Sequence, residues 1–146
     1  MMFSNSCKYA IRAVLYLAIN SDESNKLKVD DIAQELDVPK HFLAKVLQQL
    51  TKYQIISSFK GRSGGFYLTK KNRSTSLMKV IEAIDGPVKT KDCILGLDHC
   101  SDTLPCPYHF SVSNFRQDFY RKLKSESIDL CSKRIDSSKL VLKNKK

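Results

Sequence analysis

Two apolar stripes separated by a very short break constrain the fold of this chain more than any other feature. Val29, Ile32, Ala33 and Leu36 form the first, and Phe42, Leu43, Val46, Leu47 and Leu50 form the second. Spacings of one, three and four residues place such side chains on one face of an α-helix. Asp37-Val38-Pro39 stands between them. Proline is favoured where a helix begins, so the first helix is expected to end near Asp37 and the second to start at Pro39. Two short amphipathic helices on so tight a turn describe a helix-turn-helix. The second stripe leaves Lys40, His41, Ala44, Lys45, Gln48, Gln49 and Lys52 facing outward, a basic and amide-rich surface.

The flanks extend this unit. Tyr9, Ala10, Ala13, Val14, Leu17 and Ala18 predict a helix from about Ser6 to Asn20, with Ser4 or Ser6 as its cap, and polar residues 21–25 read as a loop. Downstream, Ile55-Ile56-Ser57-Ser58-Phe59 and Phe66-Tyr67-Leu68-Thr69 are β-prone runs on either side of Lys60-Gly61-Arg62-Ser63-Gly64-Gly65, a connection suited to a hairpin. Helix-turn-helix plus basic hairpin is a winged helix. The glycines do not make a nucleotide-binding phosphate loop, because GxxxxGK[ST] is not satisfied and no strand-loop-helix context follows. Ser76 to Asp85 predicts a further helix stopped by Gly86-Pro87, and residues 88–107 show no clear period. Val112, Phe115, Phe119 and Leu123 then share one helical stripe, which suits either the core or a seam between two copies of the chain. The tail from Lys139 to Lys146 is basic and is expected to fray.

Charge is segregated along the chain. The 146 residues carry 25 Lys and Arg against 15 Asp and Glu, a formal +10. Residues 1–80 hold 13 cations and 6 anions, residues 81–109 hold 2 and 5, and residues 110–146 hold 10 and 4. No acidic residue lies between Asp37 and Glu82, whereas Lys40, Lys45, Lys52, Lys60, Arg62, Lys70, Lys71, Arg73 and Lys79 all do. A solvated surface normally mixes signs, so this interval points to a polyanion, with a merely soluble basic face as the alternative. On double-stranded DNA these cations would neutralise phosphates. The first turn of the second helix would put Lys40, His41, Ala44 and Lys45 into the major groove, with the Gln48 and Gln49 amides available to adenine edges, and Lys60 and Arg62 would reach an adjacent minor groove. At 16.6 kDa and 42 % hydrophobic residues the chain is expected to be one domain, or one domain with an appendage. No apolar run approaches the roughly 20 residues of a membrane span, and the N-terminus lacks the features of a secretory signal, so a cytoplasmic protein is expected.

Five cysteines, an odd number, argue against a disulfide framework. Three of them fall in the acidic segment as Cys93-x6-Cys100-x5-Cys106, followed by x2 and His109. Thiolate and imidazole donors select zinc, copper(I) or iron–sulfur clusters. The wide spacing lacks the tight Cys pairs usual for structural zinc and suits a loop around a larger cluster. A thiol switch and inert cysteines are the other readings of these residues. A Cys/His pair could also serve an enzyme, but no orienting acid or substrate-pocket signature accompanies it.

Taken together, these residues resemble the IscR/NsrR/CymR-type, or Rrf-two, winged-helix transcription regulators. The carriers are Tyr9-Ala10 with Ala13, Asp31-Ile32-Ala33, Phe42-Leu43 through Leu50, the wing Ser58 to Leu68, the helix Val80 to Gly86 and the three-cysteine loop, spanning about residues 3–130. The resemblance implies a mainly α fold: a winged helix-turn-helix domain (1–86) with a two-stranded β wing, a cysteine-rich sensing loop (87–109), and a long C-terminal dimerisation helix with a basic tail (110–146). It implies a homodimer on a DNA operator of two-fold symmetry, and a repressor rather than an enzyme. It also implies an iron–sulfur cluster, 2Fe–2S ahead of 4Fe–4S, on Cys93, Cys100, Cys106 and His109, with zinc or a metal-free thiol regulator as the alternatives. Three positions depart from the family pattern. The first two cysteines are separated by six intervening residues instead of five. Lys8 stands where one branch has a ligating aspartate, which leaves neighbouring Cys7 as a substitute. Ala44 replaces the base-reading glutamate, so no operator sequence carries over.

Overall fold

The computed structural model describes residues 3–88, 92–138 and 142. The predicted frayed tail, Lys139 to Lys146, lies outside the described residues except for Leu142. Three helices and a hairpin build the DNA-binding unit expected from the sequence. Helix α1 runs Asn5–Asn20, and Ser4 caps it by accepting the Cys7 N–H at 3.0 Å. Helices α2 (Val29–Leu36) and α3 (Lys40–Lys52) are joined by a turn in which Asp37 takes the left-handed conformation (φ 55°, ψ 52°). That geometry ends α2 and lets the Val38 N–H reach the Ala33 carbonyl at 3.0 Å.

The core lies between α1, α3 and a later helix, α5 (Leu77–Asp85), with α2 closing one side. Leu17, Ile32, Leu36, Leu43, Leu47, Leu50 and Ile81 are among its fully buried members. Phe42 does not join them, and the expectation that it belongs to the buried stripe is corrected: it is 48 % exposed. At 100° per residue Phe42 lies roughly 90° from the centre of the stripe formed by Leu43, Val46, Leu47 and Leu50, and its ring rests on His41 instead, with centroids 4.2 Å apart.

The wing is a two-stranded antiparallel sheet, β1 (Ser57–Phe59) with β2 (Gly65–Tyr67), paired as Ser57 with Tyr67, Ser58 with Phe66 and Phe59 with Gly65. It is shorter than the sequence runs because Ile55, Ile56 and Leu68 leave the ladder to enter the core. Leu27 pairs with Phe66 on the other edge through hydrogen bonds of 2.9 and 2.7 Å. The two adjacent glycines are required there: a Cβ on Gly64 would stand 2.0 Å from the Phe59 carbonyl oxygen, and one on Gly65 2.6 Å from that of Leu27. A short helix unforeseen in the sequence, α4 (Lys70–Arg73), follows the wing under a Thr69–Asn72 capping box. Buried Asn72 accepts from Ser57 Oγ at 2.8 Å and donates to the Gln54 carbonyl at 3.1 Å, which pins β1 to the end of α3.

After α5 and the cysteine loop comes α6 (His109–Ser125). Its C-terminal half is seated in the core through Tyr120 and Leu123, whereas Phe110 and Phe115 in its first turns stay exposed. The sequence predicts one helix and a tail beyond this point. The chain instead turns back at Glu126 and forms α7 (Ile128–Ser138), which packs along α1 with Ile128 and Cys131 buried. The Leu77 N–H to Glu126 carbonyl (3.1 Å) and Ile128 N–H to Thr75 carbonyl (2.9 Å) hydrogen bonds lock that turn to the start of α5. No described helix is long and apolar enough to cross a membrane.

Gly64→Ala is expected to lower stability by about 1–3 kcal/mol, since backbone must move to admit the methyl group. Urea unfolding followed by circular dichroism measures it; an unchanged midpoint would show that the wing tip is looser than this packing requires.

Candidate metal centre and nucleic-acid face

The loop between α5 and α6 is shaped by its sulfurs and by two turns. After Cys93 the Gly96 N–H returns to the Cys93 carbonyl at 3.0 Å, and the Leu95 N–H points at Cys93 Sγ at 3.4 Å. Ser101 and Leu104 exchange both backbone hydrogen bonds at 3.2 Å, closing a turn that folds Cys106 back toward Cys100, whose Sγ accepts the Cys106 N–H at 3.4 Å. His109 is the first residue of α6, with its N–H on the Cys106 carbonyl at 3.1 Å.

The three sulfurs thereby gather with all ligand atoms within 4.8 Å of one another. Cys93 Sγ and Cys106 Sγ are 3.7 Å apart. His109 Nδ1 stands 3.1 Å from Cys100 Sγ, and its Nε2 is 2.8 Å from Asp102 Oδ1. The three sulfurs form the mutual group, His109 joins it at Cys100, and all four residues line a cavity of about 300 Å³ together with Val112 and Arg116. Arg116 also donates to the Asp92 carbonyl, tying the loop's start to α6.

Electrostatics differ sharply among the cysteines. The Leu97 N–H, with help from that of Leu95, holds the Cys93 thiol down to about 7 against the opposing effect of desolvation. At Cys100 the Cys106 N–H favours the thiolate, yet desolvation and the two neighbouring sulfurs together raise its pKa. Burial, reinforced by the Asp85 carboxylate, pushes Cys7 up to about 12. Cys7 is 0 % exposed and faces the α1–α5 core, so it cannot stand in for the missing aspartate ligand toward a second copy. The loop's donor set fits a thiophilic metal group: three soft sulfurs, one imidazole nitrogen and backbone N–H groups directed at the sulfurs. The 3.7 Å sulfur pair also matches one edge of a zinc tetrahedron with bonds of ~2.3 Å.

On the opposite side of the charge division, α3 exposes His41, Lys45 and Gln48 together, with Ala44 half-buried between them. Lys40 is exposed and ion-paired with Asp30 at 2.6 Å, a contact that a phosphate would have to displace. The expectation for Gln49 is corrected: its amide donates to the Ala83 carbonyl at 2.7 Å, bracing α3 on α5. Arg73 is likewise structural, capping the C-terminus of α1 through the Ala18 (2.6 Å) and Ser21 (2.8 Å) carbonyls. Lys60 and Arg62 project from the wing tip. Two cations missed in the sequence join them: Lys28 Nζ reaches the Arg62 carbonyl at 3.5 Å, and Lys26 lies 5.4 and 5.1 Å from the ring centroids of Phe59 and Tyr67. They lie outside the acid-free interval, and the Leu27–Phe66 bridge brings them in.

Three comparisons bear on this arrangement. The Rrf2 family model, described as an iron-dependent transcriptional regulator, matches residues 3–132. A chain from Aquifex aeolicus described as an HTH-type transcriptional regulator is 35 % identical over 126 residues, covering 83 % of this chain and 86 % of that one. The regulator NsrR of Geobacillus kaustophilus is 27 % identical over 129 residues, 88 % of this chain and 87 % of its own. Among solved structures, T. potens IscR superposes with a TM-score of 0.71 at 18 % identity over 97 % of this chain and 93 % of its own. CymR of B. subtilis gives 0.71 at 17 % identity over 91 % and 97 %. These two likenesses show the shared winged-helix fold.

In metal-free protein, iodoacetamide is expected to label half-exposed Cys93 and Cys100 well before buried Cys7 and Cys131, which should react only on unfolding. Peptide mass spectrometry over a time course reads this directly. Labelling of Cys7 in the native protein would contradict its placement in the core.

Proposed function

Because the chain belongs to the Rrf2 family of transcriptional regulators, we propose that it is a cytoplasmic homodimeric repressor whose operator binding is set by an iron–sulfur centre on Cys93, Cys100, Cys106 and His109. The observation that carries this reading is the convergence of the three sulfurs and His109 Nδ1 at the first turn of α6. An iron–sulfur cluster bound there supplies sensitivity to oxidants, iron supply or nitric oxide.

The chain's own residues do the rest. Cys93 anchors the loop's start, Cys100 and Cys106 its middle, and His109 joins all three to α6. The exposed Phe110 and Phe115 give α6 an apolar surface for a second copy of the chain. Holding four ligands in place fixes the first turns of α6, and releasing them lets those turns move. In a dimer joined through α6 such movement changes the spacing of the two α3 helices. The effect on DNA equals the difference in how well the two spacings fit the operator. On each half-site His41, Lys45 and Gln48, with Lys40 once freed from Asp30, face the major groove beside Ala44, and Lys60 and Arg62 with Lys26 and Lys28 contact phosphates at the wing.

The 3.7 Å separation of Cys93 and Cys106 Sγ favours one second reading, a zinc or metal-free thiol regulator on the same DNA-binding frame. Anaerobic purification with visible spectroscopy and iron and sulfide analysis separates the two. Visible absorption with iron and sulfide present supports the cluster; none of these overturns it, and zinc in their place moves the site to a structural role.

The nucleic-acid face has its own test in selection from a random double-stranded DNA pool, where two-fold symmetric sequences are expected. Lys60→Ala and Arg62→Ala should each weaken binding across sequences and lower the salt slope by about one, whereas His41→Ala and Lys45→Ala should also change the sequences selected. Binding unaffected by all four would overturn the groove assignment.

A further inference from the structure

The five residues between Cys100 and Cys106 form more than a spacer. Ser101 and Leu104 close a turn with paired backbone hydrogen bonds of 3.2 Å, reinforced by the Leu104 N–H to Ser101 Oγ contact at 3.2 Å and by Ser101 Oγ against Thr103 Oγ1 at 3.1 Å. Asp102 sits at the tip of this turn. Its side chain is 86 % exposed, yet it is aimed back at His109, whose side chain is only 15 % exposed. Oδ1 lies 2.8 Å from His109 Nε2 while His109 Nδ1 faces Cys100 Sγ at 3.1 Å on the other side of the ring.

We propose that Asp102 is a positioning residue for the metal centre, holding His109 in the tautomer and orientation that turn the Nδ1 lone pair, beside Cys100, toward a metal bound by the sulfurs. The inference rests on the metal-centre reading and deepens it. A neutral imidazole carries one N–H and one lone pair, and a metal requires the lone pair. A carboxylate accepting from Nε2 places the proton there and leaves Nδ1 unprotonated. It also polarises the ring toward a stronger donor, as carboxylates behind ligating histidines do. Ring rotation is restrained as well, because the His109 backbone is fixed at the head of α6 and its far nitrogen is held by the turn. The spacing between Cys100 and Cys106 is therefore long enough to return an acceptor to His109.

The test uses full-length protein reconstituted anaerobically with ferrous iron and sulfide, and reads the rate of iron release to EDTA and the reduction potential. Asp102→Ala is expected to release iron about tenfold faster or more, with the potential moved upward, because the imidazole is a poorer donor. Asp102→Asn keeps an acceptor oxygen without the charge and should fall between Asp102→Ala and the unsubstituted chain. Asp98→Ala removes an exposed charge from the same loop without touching His109 and should change neither readout. In a His109→Cys background, where no imidazole needs orienting, adding Asp102→Ala should have no further effect. That non-additivity distinguishes positioning of His109 from general damage to the loop. Iron release equal for Asp102→Ala and the unsubstituted chain overturns this inference alone. An unsubstituted chain that takes up no iron overturns both this inference and the metal-centre reading.

Discussion

Everything this molecule presents outward depends on how α3 is held. Leu43, Val46, Leu47 and Leu50 are buried against α1 and α5, and fully burying such a side chain contributes about 1.5–3 kcal/mol each. With that stripe committed, rotation of α3 about its axis is fixed, and His41, Lys45 and Gln48 have no freedom to face elsewhere. Gln49 adds a polar lock on the same interface, and Asn72 extends the frame to the wing by joining β1 to the end of α3. Helix α3 and the wing are thus braced on one another as one continuous surface.

The cysteine loop is continued into this frame by α6. Tyr120 and Leu123 seat α6 in the core, while His109 begins the helix eleven residues earlier, roughly 16 Å away at 1.5 Å per residue. The exposed aromatics Phe110 and Phe115 lie between the cysteine loop and that core anchor. Charge follows the same division. Residues 81–109 carry a net negative charge and the 38–81 interval carries cations alone, so the loop repels the polyanion that the α3 face attracts.

Regular periodicity made α1, α2, α3, α5 and α6 legible in the sequence, together with the hairpin. Two elements escaped for a physical reason: α4 is a single turn set by a capping box, and α7 has a thin apolar stripe whose partner, α1, lies more than a hundred residues earlier. Pattern alone could not place Phe42 and Gln49, which stand at the edges of the α3 stripe and whose orientation is decided by what packs beside them. The candidate ligands were legible because sulfur chemistry announces itself, and the structure groups the three sulfurs and sets His109 against Cys100. Asp102, Lys26 and Lys28 were not, since their roles arise from a turn and from a bridge that join residues with no sequence pattern in common.

The cysteine loop is held by different forces from the winged helix. Ile94, Leu95, Leu97 and Leu104 are all more than half exposed, so burial within one chain does little to hold residues 92–108. What holds them is a set of turn hydrogen bonds and the contacts among Cys93, Cys100, Cys106, His109 and Asp102. A segment with so little apolar burial has low local stability, and a group binding four of its side chains raises that stability by mass action. The winged helix, by contrast, is held by its own apolar core.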